Sequence, residues 1–192
     1  NLKNGFGLAS ELAFTRSDNS QQSNGNSLRI SPSFRKESFQ ATAGLERNSP
    51  RFINPVGSAA ADLKKIDGNM SMGKVNQLAL SSLYTQNNVE GQLAATTKTQ
   101  ILGAFAKLVP FQTSDYWKVF AINIDYNLNR SRTQGGAAPS NTETRQLGVN
   151  FAHNPAGYAL SFRTEYLPFR DLVTAANNRD TYRASTGVEI KV

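Results

Sequence analysis

His153 is the one histidine of the chain, and it stands beside the turn Asn154-Pro155-Ala156-Gly157. An imidazole can move protons near neutral pH, but it needs a nucleophile and an orienting acid in reach. Ser161 and Glu165 are close to it in sequence. In an extended chain, side chains alternate between two faces. Ser161 and Glu165 fall on one face of their segment, and His153 falls on the apolar face of the one before it. No catalytic residue is therefore expected, and the chain is read as a non-enzyme. No HExxH, GxSxG, P-loop or GxGxxG pattern occurs. The absence of cysteine rules out disulfides and thiolate ligands. Asp62, Asp67 and Asn69 supply oxygen atoms without the spacing of a calcium loop, so neither metal nor cofactor is expected.

The remaining charges fall into two sets. Glu11, Arg29, Arg35, Glu46, Asp125, Arg163, Glu165 and Arg183 share one parity with Glu90, Lys107, Glu189 and Lys191, giving six acids and six bases. Such a balanced set suits an ion-pair network filling a narrow interior, with Gly7, Ala9, Gly44, Gly148, Ala152 and Gly187 leaving room for long side chains. The other parity carries Arg16, Lys36, Arg47, Lys118 and Arg145, all basic and all at segment ends. A cation at mid-bilayer costs about 2–4 kcal/mol, and the cost falls toward zero at the interface, where long stems snorkel.

These sets are positioned by period-two alternation. In residues 2–16 the even positions include Leu2, Phe6, Leu8, Leu12 and Phe14, and the odd positions include Lys3, Gly5, Gly7, Ala9, Glu11 and Ala13. The pattern repeats to the last residue. It predicts ten strands near 4–16, 27–36, 38–47, 75–86, 88–97, 100–109, 116–129, 143–153, 157–167 and 181–192. If 98–111 is a short helix, the count falls to eight. Tight turns are expected at Lys36-Glu37, Asn87-Asn88 and 154–157. Longer connections are expected at 17–26, 48–74, 130–142 and 168–180. Loop 48–74 is expected to be extracellular and to hold a short helix, capped by Ser58, built on Ala59-Ala60-Ala61, with Lys64 and Lys65 near its end and Gly68 stopping it. Pro32 falls mid-strand, where it removes a ladder donor and predicts a bulge or a different pairing.

The 192 residues fit one domain, 1–192. Mean hydropathy is -0.45, and no run of 18 apolar residues exists; barrel strands keep average hydropathy low by alternating. Net charge is +7, but no basic cluster interleaved with aromatics appears, so nucleic acid is not an expected partner. Phe14, Phe34, Phe39, Tyr84, Tyr126, Tyr158, Tyr166 and Tyr182 lie toward strand ends, as interfacial girdles do.

Taken together, the chain resembles bacterial outer-membrane β-barrels over nearly its whole length, as a class and without a family motif. The resemblance implies an all-β, antiparallel up-and-down transmembrane β-barrel in the bacterial outer membrane. It implies an integral structural or docking component of the cell envelope, or a narrow, porin-like channel. The implied partners are membrane lipid, lipopolysaccharide above all, and other outer-membrane proteins. Arg16, Arg47, Arg145, Lys64 and Lys65 are the expected contacts to lipid headgroups or a partner. Such barrels often end on an aromatic residue, whereas this chain ends Glu189-Ile190-Lys191-Val192. Two other readings fit the same alternation: a lipid-modifying barrel enzyme, and a soluble β-sandwich or lipocalin-like binding protein.

Overall fold

The computed structural model describes residues 5–15, 25–50, 52, 62–91 and 93–190. Arg16, the 58–61 part of the expected helix and the last two residues lie outside them. The described chain is one ten-stranded antiparallel sheet in which every strand pairs with its sequence neighbours. The strands are β1 (Phe6–Thr15), β2 (Gly25–Lys36), β3 (Phe39–Asn48), β4 (Leu63–Met72) and β5 (Gln77–Asn87). They continue as β6 (Ala95–Leu108), β7 (Phe120–Gly135), β8 (Ser140–His153), β9 (Tyr158–Asp171) and β10 (Arg179–Ile190). Short 3-10 turns at Trp117–Val119 and Ala175–Asn177 are the only helical elements named among the described residues. Among the described residues no helix is long and apolar enough to cross a membrane.

The strand number agrees with the expectation, but two strands are placed differently. Residues 63–72 form β4, not the end of a loop helix, so the connection 48–74 contains a strand. Lys64, Lys65 and Gly68 all sit in that ladder: Lys64 pairs Arg47, Lys65 pairs Glu46 and Gly68 pairs Ala43. The alternation here is weak, since Asp67, Gly68 and Asn69 follow one another, and each is a poor strand former. Conversely, 95–108 is one strand, β6, where the alternation predicts parts of two, 88–97 and 100–109. Asn88 does take positive φ, at 49°, but it opens a seven-residue connection and no tight turn. Its side-chain amide bonds the Leu93 and Ala95 carbonyls.

Pro32 stays in register opposite Leu8. On its other side the β2–β3 pairing is broken between Ile30–Leu45 and Ser33–Thr42, with no residue inserted. The missing N–H is thus accommodated by a local gap, not by a bulge.

The sheet is not closed: among the described residues β1 and β10 each have one partner strand. Only Phe52 and Val109 are buried apolar residues among those described. The apolar face is therefore continuous and is not covered by any other described element, with Leu8 64%, Tyr182 74% and Ile190 78% exposed.

Candidate functional site

The site is built from two sheet faces and one rim. Cross-strand register fixes which residues share a face. One row runs Phe6, Phe34, Ala41, Met70, Leu80, Ala104, Tyr126, Leu147, Tyr166 and Tyr182, one residue from each strand. Every member is apolar or aromatic. Flanking rows extend the face through Leu12–Leu28, Leu45–Ile66, Ala106–Ile124, Ile122–Phe151 and Phe151–Phe162.

The row climbs across the sheet. Phe6 is the first residue of β1, at the end that carries the two-residue turn Glu37-Ser38. Tyr182, level with it, is eight residues from Ile190, the corresponding end of β10. Over nine strand-to-strand steps the stagger is thus close to one residue per strand. A sheet whose shear equals its strand number has strands tilted by about 36°. Once the stagger is taken up, most ring-bearing side chains of this face fall toward one of two belts, with Phe151 two residues above the lower one, Tyr126 two below the upper one and Phe162 midway. Phe6, Phe34, Phe39, Phe120, His153 and Tyr158 stand at the short-turn end, and Phe14, Tyr84, Tyr166 and Tyr182 near the other. Phe6 to Phe14 on β1 and Tyr158 to Tyr166 on β9 are each eight residues apart. At roughly 3.3 Å per residue and this tilt, the belts are about 21 Å apart. No charged residue of this face stands between them.

The lower belt explains His153. It is 7% exposed, opposite Phe120 and Leu160, with Tyr116 and Trp117 ring centroids each 4.9 Å away. The Tyr116 and Tyr158 hydroxyls bond each other beside it. Neither ring nitrogen has a hydrogen-bond partner, and Ser161 and Glu165 face the other side of the sheet, opposite Ala152 and Gly148. The imidazole packs as an aromatic ring. In the same connection Lys118 lies in the 3-10 turn, not a strand, and donates to Asp115 at 2.8 Å, which holds that carboxyl below its ordinary range.

The polar face gathers all eight residues expected for an ion-pair network. Arg163 bridges Asp125 at 3.0 Å and Glu165 at 2.8 Å, and Gln146 donates to Glu165 at 3.0 Å. Arg183 is opposite Glu165. Gly148 sits between these charges, where a Cβ would come within 2.6 Å of Asp125 Oδ2. Glu11, Arg29, Glu46 and Lys65 follow one another across β1–β4 with alternating sign, and Arg35 is opposite Gln40. Among the described residues, Glu11, Arg29 and Glu46 close no ion pair, and Lys65 pairs Asp67 at 3.5 Å. Glu90 belongs to neither face. It lies in the β5–β6 connection.

The rim at the height of the upper belt holds the expected headgroup contacts only in part. Arg47 is there, but Asp62 and Glu90 each engage it at 3.1 Å. Asp62 is 3% exposed and also accepts from the Glu90 N–H, so it ties two connections together. Arg145 is held by Glu143 at 2.6 Å. Lys65 faces the polar side and is not a rim contact on the apolar face. Lys64 is on the apolar side, opposite Arg47.

Sequence reasoning missed Lys98, Arg130, Arg132 and Arg170. They share the apolar face above the upper belt, because β6, β7 and β9 run beyond their expected ends. The signal was available: Leu128-Asn129-Arg130-Ser131-Arg132 keeps the alternation, with cations replacing the apolar residues. Arg170 pairs Asp180 at 2.7 Å. No carboxylate among the described residues lies within ion-pair distance of Lys98, Arg130 or Arg132. No protein-family model matches the chain, and no curated protein matches it in sequence, so the site is read from its own geometry.

Proposed function

We propose that this chain forms the wall of an integral outer-membrane β-barrel with a structural or docking role in the cell envelope. The carrying observation is the apolar face. It crosses all ten strands uncovered, is bounded by two aromatic belts about 21 Å apart, and then turns basic. A lipid-facing barrel has an apolar band about 25 Å tall between aromatic girdles. Ordinary soluble monomers rarely expose contiguous apolar patches larger than about 300–600 Å².

Bare sheet edges do not stand in hydrocarbon, where unpaired N–H and C=O groups cost several kcal/mol each. The reading therefore requires β10 to seal on β1. The two edges run antiparallel and keep the same parity, as an even strand number demands. Continuing the stagger to ten residues sets residues 8–15 against residues 183–190. Glu11 then meets Gly187 and Glu189 meets Ala9, large against small, and a shift of twelve would set Glu11 against Glu189. The polar face becomes the interior, with the Asp125–Arg163–Glu165 network inside.

The test is extraction and migration. The protein should need detergent to leave the membrane fraction and should migrate differently in gels before and after boiling. Cysteines at position 122 should be reached by lipid-phase quenchers and those at 123 by water-phase ones. A protein that is soluble without detergent, with equal water access at both positions, would sink the proposal.

A further inference from the structure

Resting on the barrel reading, we infer that Lys98, Arg130 and Arg132 form a binding site for the phosphate groups of outer-leaflet lipid, a phosphomonoester-bearing glycolipid of the lipid A class. Three observations converge. The first is position. The three cations project from β6 and β7 on the apolar face, beyond the belt that includes Tyr84 and Tyr166, which is the height of lipid phosphates in a bilayer whose hydrocarbon ends at that belt.

The second is charge. Lys98 is directly opposite Arg132, and Arg130 is two pairs below on the same face, opposite Gln100. Like charges directly opposite each other destabilise a strand pair. The other rim arginines solve this with carboxylates: Arg47 has Asp62 and Glu90, Arg145 has Glu143, and Arg170 has Asp180. Glu143 is in register with Arg130 but is engaged by Arg145 at 2.6 Å. Among the described residues no carboxylate closes an ion pair with Lys98, Arg130 or Arg132, and a phosphate oxygen would meet both guanidinium forks and the ammonium.

The third is a groove. Tyr126, Arg145, Leu147, Tyr166, Pro168 and Arg170 line a depression of about 270 Å³ on the same face, next to the cluster across the β7–β8 pair. Its floor is aromatic and aliphatic and its upper wall is basic. That matches a lipid with acyl chains below and phosphate above, and it favours lipid over a free anion.

The experiment uses the full chain in phosphocholine bilayer discs loaded with lipid A or with its dephosphorylated form, and counts retained lipid by native mass spectrometry. Wild type should retain lipid A and release the dephosphorylated form. Each of K98Q, R130Q and R132Q should weaken retention roughly fivefold, and the triple variant on the order of a hundredfold. Lys36→Gln, at the opposite end of the sheet, should change nothing. Equal retention by wild type and triple variant would overturn the inference, as would complete displacement by millimolar inorganic phosphate, which would make the site a plain anion site. Boiling-dependent migration of the same samples keeps the two readings separate. Its loss in wild type refutes the barrel, whereas its presence with unchanged lipid retention refutes only the phosphate site.

Discussion

Ile124 sits four residues above the lower aromatic belt and four below the upper one, which puts it about 11 Å from either interface at a tilt near 36°. Its side chain is 37% exposed on the apolar face, beside Ala106 and Val149. Ile124→Arg should cost about 2–4 kcal/mol if lipid covers this face, because an arginine at the bilayer midplane cannot reach water at either end. At 1.36 kcal/mol per tenfold, the folded-to-unfolded ratio drops roughly 30- to 1000-fold. Leu128→Arg, four residues higher and next to Arg130, should cost about 0–1 kcal/mol. Asn123→Arg points to the polar face and should fall within about 0.5 kcal/mol of wild type, like other substitutions away from packed features. The assay is equilibrium unfolding in urea with phosphocholine vesicles, read by the fluorescence of the single tryptophan, Trp117. The depth gradient is decisive. Equal costs at 124 and 128, or a cost at 123 matching that at 124, would refute a lipid-covered face.

Four further outcomes follow from the same geometry. With no native cysteine to interfere, Leu12→Cys should cross-link within one molecule to Thr186→Cys under mild oxidation, and not to Ala184→Cys or Val188→Cys. A cross-linked dimer would instead mean that a second copy covers the edge. Gly148→Leu should lose about 1–3 kcal/mol by driving Asp125 and Arg163 apart, whereas Gly157→Ala, with nothing within 4 Å, should be near neutral by urea midpoint. Asp62→Ala should lose about 1–3 kcal/mol, because it leaves the Glu90 N–H and the Arg47 guanidinium short of an acceptor in a buried corner. His153→Phe should unfold at the wild-type urea concentration and His153→Ala at a lower one, as expected for a ring held by rings and not for a proton carrier.

The two faces were legible in the sequence because period-two alternation is a local property. Phe120, Ile122, Ile124 and Tyr126 declare their side without help from any partner. The eight charged residues of the polar face were legible for the same reason. What was not legible depends on pairing. In β4 the run Asp67-Gly68-Asn69 breaks the alternation. Only its ladder to Ala43 and Thr42 on one side and to Ser81 and Ser82 on the other makes it a strand. In β6 the segment Thr96-Thr97-Lys98-Thr99-Gln100 is polar on both sides, and it is carried as strand by fourteen consecutive partners in β7. One strand missed and one divided left the number at ten, yet the error displaced the Asn87-Asn88 connection to the opposite end of the sheet.

The rim shows why that displacement matters for function. Charge at a strand end marks an interface only if the ends of neighbouring strands are aligned, and a sequence carries no alignment between strands. Counted along the register row alone, Phe6 and Tyr182 stand level, and the aromatics of the apolar face scatter without order. One residue of stagger per strand, taken from where the strands end, gathers most of the same residues toward two belts, Phe162 excepted, and lifts Lys98, Arg130 and Arg132 clear of the upper one. No strand knows this stagger by itself. It arises from the summed offsets of nine pairings, and it is the quantity that sets tilt in a closed sheet. The agreement between strand-end stagger and aromatic height therefore joins two independent readings, backbone register and side-chain chemistry. The proposed lipid-covered face is what would keep the two in step.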